Sequence, residues 1–135
     1  MKSQGFDVGE SLVENDMIAI AKELFNSGKI ILPNKVIVAD SIDSNHSTTK
    51  DIDCVSSSDK IFDINLSSNM SEILKGSKTI LWNGPIGVFE KEPFQKGTHQ
   101  LAKTIAGSEA FSLAGGGETI ACLLYTSDAA DDVVG

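Results

Sequence analysis

Apolar positions along the chain switch between two periods, and the switches mark its elements. From Val13 the apolar residues Val13, Met17, Ile20, Ala21 and Leu24 recur at three- and four-residue spacing, which predicts an amphipathic helix. Asn15 or Asp16 suits its cap, and Gly28 stands just past its end. Residues 1–12, punctuated by Gly5 and Gly9, read as a loop or short extended lead-in. Ile30-Ile31-Leu32, stopped by Pro33, reads as a short strand, and Val36-Ile37-Val38-Ala39 as a second, β-branched one. The Ser/Thr/Asp-rich segment from Asp40 to Lys60 holds one candidate strand, Lys50 to Val55. A structureless connection of that length is uncommon in a compact domain. Phe62-Asp63-Ile64 then leads to a turn at Asn65, and Ser67 to Lys75 forms a short helix closed by Gly76.

The second half uses one device twice. The apolar run Lys78 to Trp82 enters Asn83-Gly84-Pro85-Ile86-Gly87, a strand followed by a tight loop. Phe94, Thr98, Leu101, Ala102 and Ile105 trace a helix face as far as Gly107. The strand 110–114 then runs into Gly115-Gly116-Gly117-Glu118-Thr119, where a further helix could begin at Glu118. Two strands, each ending in a glycine-rich loop and separated by an amphipathic stretch, describe a parallel pair whose loops open on one edge. Such edges bind ligands. The expected class is α/β, a partial Rossmann-like parallel sheet with flanking helices.

Composition narrows the function classes. The chain has 135 residues, 41% of them hydrophobic and 22% charged, which suits a globular domain with a real core. Its formal charge is -8, with eleven Lys and no Arg, which argues against a nucleic-acid surface. No apolar run approaches the ~20 residues needed to span a bilayer, and the N-terminus lacks an apolar leader segment. A cytoplasmic protein without a membrane partner is expected. Cys54 and Cys122 belong to no metal-ligand spacing and read as reduced thiols.

The glycine loops are the candidate site. A glycine loop opening a helix offers backbone N–H groups and the positive end of a dipole, which together bind phosphate without a Lys. Gly115 to Thr119 adds a carboxylate suited to Mg²⁺ and a hydroxyl suited to a phosphate oxygen. The same residues also suit a plain strand-to-helix turn, with Glu118 placed by the dipole alone. Asn83 to Glu90 likewise admits a purely structural reading, in which Val88 and Phe89 return to the core and Glu90 is a surface charge. His46 and His99 read as solvated, Trp82 as core packing, and Lys91, Lys96 and Lys103 as a solvated helix face. No residue is assigned to catalysis.

The run WNGPIGVFE, followed by Phe94, Gly97-Thr98 and GGGET, resembles the phosphoglycerate kinase family, whose nucleotide domain carries W-N-G-P-x-G-V-F-E and G-G-G-D-T in this order. Gly5, Gly9, Ser11 and Leu12 before the first helix, Leu32-Pro33, and Ile61-Phe62-Asp63 extend the likeness from residue 1 to about 122. The resemblance implies reversible phosphoryl transfer between 1,3-bisphosphoglycerate and Mg·ADP, giving 3-phosphoglycerate and Mg·ATP, in a two-domain hinge enzyme that is a monomer when complete. It implies Phe62, Pro85, Gly87 and Val88 as walls of the adenine pocket, and Glu90 as acceptor from the ribose hydroxyls. Asn83, Gly116, Gly117 and Thr119 would lie at the phosphates, with Glu118 as the Mg²⁺ ligand.

Glu118 stands where the family has Asp, one methylene further out, and Ile61 and Asn65 stand where many members have Gly. The cationic groups that such a transfer requires would come from a substrate domain and other parts of the family's chain, so the sequence reads as a partial nucleotide-binding domain with little activity alone. A non-catalytic α/β module binding a nucleotide or phosphate is the alternative. Residues 123–135, LLYTSDAADDVVG from Leu123, fit neither the period nor the family pattern and are expected to be a non-native or read-through tail.

Overall fold

The computed structural model describes residues 1–119. The tail from 123 and Cys122 lie outside them. A 3₁₀ turn, Asn15–Met17, leads into helix α1, Ile18–Asn26. Strands β1 (Lys35–Ala39), β2 (Thr48–Asp51) and β3 (Lys60–Asn65) follow, then α2 (Ser68–Gly76), β4 (Thr79–Asn83), α3 (Lys96–Ala106) and β5 (Phe111–Gly115).

The strands form two sheets. β4 and β5 pair in parallel, with Thr79 opposite Phe111 and Asn83 opposite Gly115, which is the expected arrangement of the two glycine loops. β2, β1 and β3 form a second sheet in that order, and both of its pairings are antiparallel. A register shift interrupts the β1–β3 ladder between Ile37 and Val38. Val36, Ile37 and Val38 are all buried, as a central strand with two neighbours and two covered faces requires.

Two expectations need correction. Ile30 to Leu32 is not a strand: Ile30 and Ile31 are exposed. Both edges of β1 are already occupied by β2 and β3, so this apolar run has no ladder to join there. The candidate strand Lys50 to Val55 is displaced toward the N-terminus, because the chain pairs over Thr48–Asp51 and then tightens into a 3₁₀ turn, Ile52–Cys54. Buried Val55 explains the apolar signal without being in a strand: it packs with Val36 and Val38.

A second cluster lies under the parallel pair, where Trp82 packs with Leu101 and Ala102, flanked by Leu74, Ile86 and Ile105. It is built from Trp82 of β4 and the apolar stripe of α3. Ile80 and Trp82 point inward while Thr79, Leu81 and Asn83 are exposed, the period of a strand with one covered face. The Ser67 hydroxyl caps α2 by accepting from the Met70 N–H at 3.2 Å. α3 packs against α2 and β3, and its first turn meets β3 at Asp63. No helix among the described residues is long and apolar enough to cross a membrane.

Candidate nucleotide site

The pairing of Asn83 with Gly115 brings both glycine loops out at the C-terminal end of adjacent strands. They are joined by a side chain. The Gly84 N–H donates to Thr119 Oγ1 at 2.6 Å, and the Trp82 indole N–H donates to the Gly84 carbonyl at 2.6 Å. Trp82 is therefore core, as its burial shows, and also a tether for the loop above it. Thr119 is fully buried, so its hydroxyl is put to use between the loops rather than left open to solvent. Across the gap, a Cβ built on Gly116 would lie 3.2 Å from Asn83 Oδ1, which places the Asn83 side chain over the triple glycine.

The first loop folds back onto β3. The Val88 N–H donates to the Phe62 carbonyl at 2.9 Å, and the Thr98 hydroxyl of α3 donates to the Ile86 carbonyl. Phe62 is half-buried and its ring meets that of the fully buried Phe94, centroids 4.9 Å apart and planes tilted by 40°. Phe62, Pro85 and Val88 are partly covered apolar groups, and Gly87 is exposed. Gly87 has φ 67°, and a Cβ there would come within 2.5 Å of Asp63 Oδ1 and 2.7 Å of the Phe62 carbonyl. Both the backbone region and the space admit only glycine.

Glu90 and Glu118 are exposed, as are Asn83, Gly116 and Gly117. Glu90 follows Phe89 in the turn that leads toward α3, and Glu118 stands in the helical turn after the triple glycine. The sequence-read residues therefore fall into two adjacent groups: Phe62, Pro85, Gly87, Val88 and Glu90 around the first loop, and Asn83, Gly116, Gly117, Glu118 and Thr119 around the second. Thr119 binds the groups together through Gly84.

Asp63 is the buried group that sequence reading does not assign. It is 2% exposed in the middle of β3. Its Oδ2 accepts from the Gly97 N–H at 2.9 Å and its Oδ1 from the Ile64 N–H at 2.8 Å. Burial pushes its carboxyl up to about 6, against the lowering pull of these two N–H groups and of the Lys96 charge. The available signal was a lone carboxylate inside the apolar run Ile61-Phe62-Asp63-Ile64.

The remaining singled-out residues lie away from the loops or on the surface. His46 is exposed and His99 is half-buried on α3. Lys91 lies ahead of α3 and pairs with Asp43 at 2.9 Å, both exposed. Cys54 is a free, exposed thiol that donates to Asp53, an interaction that raises its pKa.

Comparison with known proteins agrees with this geometry. The family model described as phosphoglycerate kinase matches residues 1–133, a span that runs past residue 122. A curated phosphoglycerate kinase from Baumannia cicadellinicola subsp. Homalodisca coagulata is 46% identical over 127 residues, which is 93% of this chain and 33% of that protein. The structure of phosphoglycerate kinase from Coxiella burnetii is similar with a TM-score of 0.87 at 39% identity, covering 97% of this chain and 36% of that one. The enzyme from Pyrococcus horikoshii OT3 gives a TM-score of 0.72 at 30% identity over 92% of this chain and 34% of that one. The chain thus spans about a third of the length of these relatives. Matched over nearly its whole length, and carrying both glycine loops at one end of a parallel pair, the chain belongs to the phosphoglycerate kinase family.

Proposed function

We propose that the chain supplies the nucleotide side of reversible phosphoryl transfer between 1,3-bisphosphoglycerate and Mg·ADP, giving 3-phosphoglycerate and Mg·ATP. The observation that carries this reading is the parallel pairing that sets Asn83 beside Gly115 and opens both loops at one end. Phe62, Pro85, Gly87 and Val88 would wall the adenine, and Glu90 would accept from the ribose hydroxyls with its two oxygens. Asn83 and the N–H groups of Gly116 and Gly117 would face the phosphates. Thr119, fully buried and accepting from the Gly84 N–H, would act on the phosphates through the loop it holds.

The residues fit a magnesium ion. Glu118 is exposed, and a Cβ built on the adjoining Gly117 meets nothing within 4 Å, so there is open space next to it in the loop. One carboxylate together with phosphate oxygens is a ligand set that Mg²⁺ favours. When bound, the ion neutralises charge on the phosphates. The part of the relatives' length that this chain does not span would hold the phosphoglycerate and supply cationic groups, since neither loop contains a Lys or Arg and the transfer needs them. The reading includes a cytoplasmic location, a monomeric complete enzyme, and a domain portion ending near residue 122. The same absence of cations favours, as a second reading, a non-catalytic nucleotide-binding module; transfer activity in the longest native chain that contains these residues decides between them.

The test of the site is equilibrium binding of ADP with and without Mg²⁺, in the chain and in Glu118→Gln. Mg²⁺ should tighten ADP binding by about tenfold in the unsubstituted chain and have no effect in the variant. A Mg²⁺ effect that survives in Glu118→Gln removes Glu118 from the metal site. No ADP binding at all contradicts the nucleotide reading.

A further inference from the structure

Asp63 touches none of the residues proposed to meet the nucleotide through an open side chain, yet three elements converge on its carboxylate. β3 carries it and donates the Ile64 N–H; α3 donates the Gly97 N–H from its first turn. The loop after β4 presses Gly87 against it, so closely that a Cβ on Gly87 or on Gly97 would collide with Oδ1. Gly97 is itself buried, and its missing side chain is the space the carboxylate occupies. The neighbouring Thr98 hydroxyl holds the Ile86 carbonyl, and the Phe62 carbonyl, one residue before Asp63, holds the Val88 N–H. Segment 86–88 is thus pinned at both ends by the residues on either side of the Asp63–Gly97 contact.

We propose that Asp63 is a positioning residue for nucleotide binding: its carboxylate, seated on the first turn of α3, fixes segment 86–88 in the conformation that walls the base. This rests on the nucleotide reading above and deepens it. An ionised carboxylate accepting from a helix's first-turn N–H is charge-assisted, roughly twice as strong as a neutral hydrogen bond, and favoured by the helix dipole. From β3 the carboxylate meets an N–H, from the loop only a glycine, and from α3 an N–H and the Lys96 charge. All the polar partners favour the ionised form, so protonation weakens the clamp.

Two consequences of that protonation run in opposite directions. The raised carboxyl pKa means that the fold gains stability on acidification, whereas the clamp, and with it the base wall, weakens. A residue acting only through stability would move binding and stability the same way. Adenosine is the suitable probe, since it carries no phosphate that titrates in this range and meets only the base wall and Glu90, a residue the variant keeps.

The experiment measures binding of adenosine and of Mg·ADP to the chain and to Asp63→Asn, with adenosine followed from pH 7.5 to 5 and stability measured in parallel. Both ligands should lose about tenfold in Asp63→Asn at pH 7.5, the factor for one charge-assisted hydrogen bond. Adenosine affinity of the unsubstituted chain should fall toward pH 5 while stability rises, and the variant should show neither change. Equal affinities in the two proteins, or adenosine affinity that follows stability upward on acidification, overturn the positioning role. Binding of neither ligand by the unsubstituted chain overturns the nucleotide reading itself, and the inference with it. A variant that fails to fold is replaced by the pH series of the unsubstituted chain, whose opposed trends stand or fall alone.

Discussion

Replacing Gly97 by Ala sets two effects of opposite sign against each other. Gly-to-Ala in a helix interior is ordinarily stabilising by about 1 kcal/mol, because alanine has less backbone entropy to lose. At this position the new Cβ would collide with Asp63 Oδ1, lie 2.5 Å from the Ile64 carbonyl and 3.0 Å from Ile86 Cγ2. The first is a buried carboxylate and the second is backbone in a paired strand, so neither is a flexible tip that could swing away. Overpacking of this kind costs about 1–3 kcal/mol. Displacing the carboxylate also weakens the bond it accepts from the Gly97 N–H, about 1.5–3 kcal/mol for a charged acceptor. The steric and hydrogen-bond costs together exceed the helix gain, and Gly97→Ala should lose about 2–4 kcal/mol of stability. Urea unfolding with fitted midpoint and slope measures it. A variant as stable as the parent, or more so, would show that the glycine is there for no packing reason and refute the close seating of Asp63.

Other perturbations have equally defined outcomes. Phe94→Ala removes a fully buried ring that stacks against Phe62 and should cost about 3–5 kcal/mol, read from the same urea midpoints; a loss below 1 kcal/mol would mean that the site collapses around the gap. Thr119→Val keeps the shape but removes the acceptor of the Gly84 N–H, and should cost about 1–3 kcal/mol and speed hydrogen exchange at the Gly84 amide, while Thr119→Ser should preserve slow exchange. Asp63 binds a proton in the folded state at pH values where the unfolded chain has released it, since its carboxyl is raised from 3.8 to about 6. Stability should therefore fall by about 2 kcal/mol as pH rises from 4.5 to 7, and Asp63→Asn should flatten that slope. Asp59 is shifted the other way, held below its ordinary value chiefly by its hydrogen bond from Lys50, so its contribution is lost only at lower pH and does not mask the Asp63 window.

What was readable in the sequence was local. The glycine loops announced themselves because a strand of alternating burial, Ile80 in and Leu81 out, runs straight into residues that only special backbone geometry explains. α3 was readable from Leu101, Ala102 and Ile105, whose spacing matches the face that meets Trp82. The antiparallel β2–β1–β3 sheet was not, because pairing direction is a long-range property: Val36 to Ala39 looks the same whichever neighbours flank it. Ile30 to Leu32 misled for the same reason, since strand-like composition does not supply a free sheet edge. Thr119 was legible as a hydroxyl beside glycines, yet its use as a strap to Gly84 depends on a contact 35 residues away. Asp63 was visible as an oddity in an apolar run, but its partner Gly97 lies 34 residues on, and no local pattern links them.

A single nucleotide site built from the two glycine loops requires both to respond together to one ligand. The most direct measurement is amide chemical-shift mapping of the chain titrated with Mg·ADP. Saturable shifts are expected at Gly84, Gly87 and Val88 in one loop and at Gly116 and Gly117 in the other, fitting a single dissociation constant, with the β2 and α1 amides unmoved. Shifts confined to one loop, different constants for the two, or a saturable response centred elsewhere on the chain would contradict it.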